Sequence, residues 1–129
     1  MKLADYFAKA KGIGILGTAD AEGKVDLAIY AKPVVIDENT IALVMLERLS
    51  HQNIRHNSNA AYMYIEDESE NVGVRLYLTM VHEETNVSVV EKIIEEHPEI
   101  CPEPDEANKF LVHFKVERVR ELVGSRKLE

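Results

Sequence analysis

The chain has 129 residues, 46% apolar and 29% charged, with a formal net charge of −8, the size and composition of a single folded domain spanning residues 1–129. Its basic residues are scattered, so no nucleic acid and no anionic membrane surface is expected as a partner. Cys101 is the only cysteine, which excludes an internal disulfide and a four-cysteine zinc site and fits a reducing compartment.

From Met1 to Gly17 no signal-peptide run occurs, because Asp5, Lys9 and Lys11 interrupt it. Leu3, Tyr6, Phe7 and Ala10 instead recur at helical spacing, predicting a short amphipathic helix that stops at Gly12. The period then changes to two. Residues 13–19 and 24–31 flank Ala-Asp-Ala-Glu-Gly and read as a hairpin. Residues 34–36 and 40–46 flank Asp37-Glu38-Asn39 as a second hairpin, with Pro33 breaking the strand before it. The run Ile41–Leu46 is the longest purely apolar stretch and far too short to span a membrane. The expected location is cytoplasmic.

Ser50 opens a polar stretch to Asn57 that reads as a short helix with Ser50 as its N-cap. Alternation resumes over residues 60–66 and is clearest over 73–83. There Val74, Leu76, Leu78 and Met80 face one way, and Arg75, Tyr77, Thr79 and Val81 the other. Ser88 and Glu91 form a capping-box pattern before a helix ending near His97. Pro98, Pro102 and Pro104 mark an exposed acidic loop, and Phe110, Val112, Phe114 and Val116 a last strand. Six or seven strands joined by hairpins, with three short helices, make a mainly β chain: an antiparallel, Greek-key-like split barrel.

Gly12-Ile13-Gly14-Ile15-Leu16-Gly17 matches the dinucleotide fingerprint in letters only. That fingerprint follows a strand and opens a helix, whereas these glycines follow a helix and enter a strand. The five histidines show no metal-ligand spacing, and His113 alternates with Phe110, Val112 and Phe114 onto what reads as a polar face. No metal is expected. Cys101 lies in an acidic loop without the electropositive surroundings of a reactive thiolate.

The segment Leu46-Glu47-Arg48-Leu49-Ser50-His51-Gln52-Asn53 carries more chemistry. A strand ends, a guanidinium follows, and a hydroxyl stands at a helix start, where unpaired amides point outward. Those donors suit a phosphate. The plain alternative is an ordinary capped helix beside a surface arginine.

This segment, with the 14–24 hairpin, Ala28-Ile29-Tyr30-Ala31-Lys32-Pro33, Asp37-Glu38-Asn39-Thr40 and Ala60-Ala61-Tyr62, resembles the pyridoxamine 5'-phosphate oxidase-like, FMN-binding split barrels. The likeness covers residues 4–83 in order and spacing, and each motif alone is short. The resemblance implies FMN as cofactor, with the backbone of Ile29, Tyr30, Ala31 and Lys32 along the isoalloxazine and Val44, Met45 and Leu46 beside the ribityl chain. Arg48, Leu49 and Ser50 would hold the phosphate, and Asn53 would pack the helix against the barrel. Many relatives carry Lys where this chain has Leu49, and Arg48 is the expected substitute. The resemblance also implies a homodimer sharing two flavin sites, for which the Arg75, Tyr77, Thr79 and Val81 face is the expected contact.

True pyridoxamine 5'-phosphate oxidases carry substrate-binding basic residues in a further C-terminal segment. Arg118, Arg120, Arg126 and Lys127 do not match their pattern, so that oxidation is not expected. Three readings follow: a small FMN-dependent oxidoreductase, a non-enzymatic flavin binder for electron transfer, storage or sensing, and a split barrel that has lost FMN and binds another ligand such as haem. No side chain declares itself as a catalytic acid or base. Tyr30 and Lys32 are candidates only through the implied nearness to the ring.

Overall fold

The structure, a computed structural model, describes residues 1–46, 48–98, 109–124 and 126–128. The element order is α1 (Leu3–Lys9), β1 (Gly12–Ala19), β2 (Val25–Tyr30), β3 (Val34–Asp37), β4 (Thr40–Leu46), α2 (Leu49–His56), β5 (Asn59–Glu66), β6 (Gly73–Glu84), α3 (Val87–Glu96) and β7 (Lys109–Glu121). The protein is mainly β: an antiparallel seven-stranded sheet in the order β2-β1-β5-β6-β7-β4-β3, with three short helices. Strands β2 and β3 are its two edges. Helix α2 follows β4 yet touches β1 and β2 as well, so it bridges the two ends of the strongly curved sheet. This is the split barrel expected from the sequence.

Local chemistry sets the turns. In the β1–β2 hairpin Asp20 Oδ1 accepts from the amides of Glu22 and Lys24, both at 2.9 Å, and Gly23 takes φ 86°, a conformation costly for other residues. Asp37 Oδ1 accepts from Asn39 N at 2.9 Å and shapes the β3–β4 turn. Pro33 lies just before β3 and interrupts no ladder.

Inside the sheet, alternate residues Leu16, Ile41, Leu43, Tyr62, Leu76, Leu78, Val112 and Phe114 form the main core, with Leu3 and Phe7 of α1 closing one end. Phe7 packs edge-on against Tyr64, and the Tyr6 hydroxyl donates to Glu66 Oε2 at 2.7 Å. Burial and that carboxylate push the Tyr6 phenol well above its ordinary range.

Several local expectations are corrected. Helix α1 ends at Lys9 with Ala10 as its C-cap, and Gly12 instead opens β1, where a Cβ would collide with the Ile65 carbonyl of β5. The cap of α3 is Asn86, whose side chain accepts from Ser88 N at 3.0 Å and Val89 N at 3.4 Å, so the hydroxyl of Ser88 has no capping role. Strand β7 continues to Glu121, because it pairs along its length with β6 as well as β4. The face of β7 that carries His113 is covered at its start, while Lys115 and Glu117 further along it are exposed. Leu111 on that face joins Val34, Ala42, Val44 and Val90 in a second small core beneath α3. The expected loop around Pro102 and Pro104, with Cys101, lies outside the described residues. Among the described residues no helix is long and apolar enough to cross a membrane.

Candidate functional site

Strand β2 alternates along its whole length. Val25, Leu27 and Ile29 are 82%, 73% and 71% exposed, while Asp26, Ala28 and Tyr30 turn inward. The inward set faces the end of β4 and the first turn of α2. Between them lies a cavity of about 200 Å³, walled by Asp26, Ala28, Ile29, Tyr30 and Ala31, by Val44 and Leu46, and by Arg48, Leu49 and Ser50.

The structure thus brings together Ile29, Tyr30, Ala31, Val44, Leu46, Arg48, Leu49 and Ser50 from the sequence-derived set, and leaves three apart. Met45 alternates away from Val44 and Leu46 and is fully buried in the main core. Lys32 is half-buried in the segment between β2 and β3 and does not line the cavity. Asn53 is buried under α2, where its Nδ2 donates to Thr18 Oγ1 at 3.1 Å and ties the helix to β1. Asp26 was absent from that set. Strict alternation from Tyr30 and Ala28 would have placed it on the same face.

The start of α2 differs from expectation. Arg48, extended at φ −138° and ψ −175°, is the N-cap, and its carbonyl accepts from Gln52 N at 3.0 Å. Ser50 therefore sits inside the first turn, 4% exposed, and lines the cavity with Tyr30. The cap lies two residues earlier than expected, where Arg48 N donates to Leu46 O at 2.8 Å in a tight turn straight off β4. The amides of Leu49 and Ser50 lie in the first turn, where a helix offers its own N–H groups no carbonyl. Leu49, 53% exposed, stands at the rim. Burial raises the Tyr30 phenol, Ser50 and Arg48 pull it down, and Asp26 pushes it up. The net direction is upward, so Tyr30 is a neutral hydroxyl at neutral pH.

Two supports hold this wall in place. The Tyr62 hydroxyl donates to Ala31 O at 2.9 Å, anchoring the chain just after β2. That ring needs Gly14 beneath it, since a Cβ there would overlap the Tyr62 hydroxyl and lie 2.6 Å from Tyr30 O. On the other side of α2, His51 is fully buried and stacks on Phe110 with ring centroids 4.1 Å apart and planes at 18°. Its Nε2 contacts Glu83 Oε1, and Arg55 reaches Glu83 Oε2 at 3.9 Å. His51 is a structural staple between α2 and strands β6 and β7. His82 and His113 face each other at 5.2 Å across β6 and β7. Among the described residues no three potential ligands converge on a metal position.

A curved antiparallel sheet with a polar-ended cavity under its bridging helix defines a split-barrel protein, and solved structures share this fold. No protein-family model and no curated protein sequence matches the chain. An FMN-binding protein from Syntrophomonas wolfei superposes with a TM-score of 0.80 at 15% identity, over 97% of this chain and 86% of that one. HupZ from Group A Streptococcus gives 0.73 at 16% identity, over 92% and 90%. HutZ, the heme storage protein from Vibrio cholerae, gives 0.63 at 20% identity, over 94% and 95%. The chain has the fold of the FMN-binding, pyridoxamine 5'-phosphate oxidase-like split barrels.

Proposed function

We propose that the chain binds FMN in the cavity between β2, β4 and α2 and acts as a small FMN-dependent oxidoreductase, though not as a pyridoxamine 5'-phosphate oxidase. The observation that carries this reading is that Arg48, Ser50 and the first turn of α2 line one cavity together with the apolar side chains of Ala28, Val44 and Leu46. The donor set fits a phosphate in number and kind. Ala28, Ile29, Val44 and Leu46 suit a planar aromatic ring, and the backbone after Tyr30 offers peptide groups to its edge. Bound there, the flavin would supply the hydride or electron chemistry. The chain's own residues bind and orient. Neutral Tyr30 offers a hydroxyl to the ligand.

A cavity of about 200 Å³ falls below the ~300–1,000 Å³ usual for small-molecule sites. It opens at Ile29 onto the outer face of β2, where Val25 and Leu27 are also exposed. A homodimer that covers this face would wall the cavity, and we propose that assembly as the working form. Likeness to HutZ supports a second reading, haem in place of flavin.

The test is a titration of the purified, flavin-free protein with FMN, riboflavin and haemin. Flavin fluorescence quenching with FMN tighter than riboflavin is expected, and Arg48→Ala should weaken FMN about ten- to a hundredfold while leaving riboflavin unchanged. A Soret band without flavin quenching would replace this reading with the haem one.

A further inference from the structure

The cavity proposed to hold a phosphate also carries a charge that works against one. Asp26 lines the same cavity as Arg48 and Ser50. Its orientation follows from the strand: Asp26 pairs with Thr18 of β1, and Thr18 is 3% exposed and bonded to Asn53 of α2. Asp26 and Tyr30 therefore share the inward face, and the Asp26 carboxylate acts electrostatically on the Tyr30 phenol. Around Asp26 on this face, Thr18, Asn53, Ala28 and Tyr30 are neutral side chains. Among the described residues of the lining, the formal charges are one positive, Arg48, and one negative, Asp26.

A phosphomonoester carries about −1.5 to −2 at neutral pH. Placing it beside Arg48 alone would be strongly favourable, whereas Asp26 repels it in a partly dry cavity. A carboxylate is, however, an acceptor for hydroxyl groups, and the chain between a flavin ring and its phosphate is a polyol. We propose that Asp26 is the specificity-determining residue of this cavity: it accepts hydroxyls of the ligand's polyol chain and narrows the preference for a phosphorylated tail over an unphosphorylated one. This rests on the flavin reading above.

The experiment measures Kd for FMN and riboflavin with the wild type, Asp26→Asn and Asp26→Leu. Asp26 is partly exposed on an edge strand, and thermal melting of each variant checks that the fold is kept. Asp26→Asn keeps an acceptor oxygen and removes the charge. It should tighten FMN by about tenfold, as expected for one charge several ångströms away at a partly buried site, and leave riboflavin within about twofold. Asp26→Leu should tighten FMN less than Asn does and weaken riboflavin, because the acceptor is gone. If the wild type binds both flavins and neither variant moves the FMN-to-riboflavin ratio, Asp26 does not select the tail and only this inference falls. If the wild type binds neither, the flavin reading falls first and this inference with it.

Discussion

Gly14 shows how one residue without a side chain shapes the site. It is part of a glycine pattern whose letters match a nucleotide fingerprint, yet its use is steric. Tyr62 reaches over it to hold Ala31 O, and a Cβ would strike both the Tyr62 ring and Tyr30 O. Gly14→Ala must therefore displace a buried ring or an edge strand. A loss of about 1–3 kcal/mol in urea unfolding is expected, in the range of overpacked cores. A smaller flavin affinity should accompany it, because the Ala31 anchor borders the cavity. An unchanged unfolding midpoint would show that Tyr62 and β2 can shift freely. Ser50 teaches the same lesson in reverse: a hydroxyl suited to capping lies inside the first turn, and the cap position belongs to Arg48.

At the scale of elements, α2 is fastened on two sides, by Asn53 to Thr18 of β1 and by His51 to Glu83 of β6. That double attachment fixes the helix start at the seam, where the cavity forms. Strand β7 makes a different demand. Its outer face lies under α3, so His113 is half-buried there. Burial first, and His82 second, hold the His113 imidazole below its ordinary pKa. The folded protein then binds fewer protons than the unfolded chain once the pH falls through the ordinary histidine value of about 6.5, so stability declines on acidification. His113→Gln should shrink the drop in urea midpoint between pH 7.5 and pH 5.5, both measured in the same buffer series. An identical drop in wild type and variant would assign the acid sensitivity to other groups.

For the whole molecule, the exposed row of β2 decides the expected assembly. Leu27, Gly17, Ala61 and Tyr77 stand in register across β2, β1, β5 and β6, a flat stripe of mostly apolar and small residues ending at an open sheet edge. Such an edge is normally covered or charged. Covering it with a second copy would also close the cavity at Ile29. Leu27→Asp, on an exposed position, should fold normally and shift light scattering from a dimer to the 14.6 kDa single chain. FMN affinity should fall with it. A monomeric wild type at micromolar concentration would remove the dimer and leave the cavity open to solvent.

The sequence by itself determined the elements and the fold class they make. Period-two patterning, the Asp20–Gly23 turn and Pro33 specify hairpins through local backbone chemistry, which is why strand and helix positions were legible along the described chain. The helix start after Arg48 was legible in outline for the same reason. Tertiary structure alone decided which of these residues meet. Met45 and Val44 differ by one position and so face different cores, and Asp26 enters the cavity only because β2 lies against α2 across the open seam. Cap identity at Arg48 and Asn86 also depended on how the chain leaves the preceding strand. Contacts between residues far apart in the chain depend on how the sheet curves, and local propensity carries no record of that curvature.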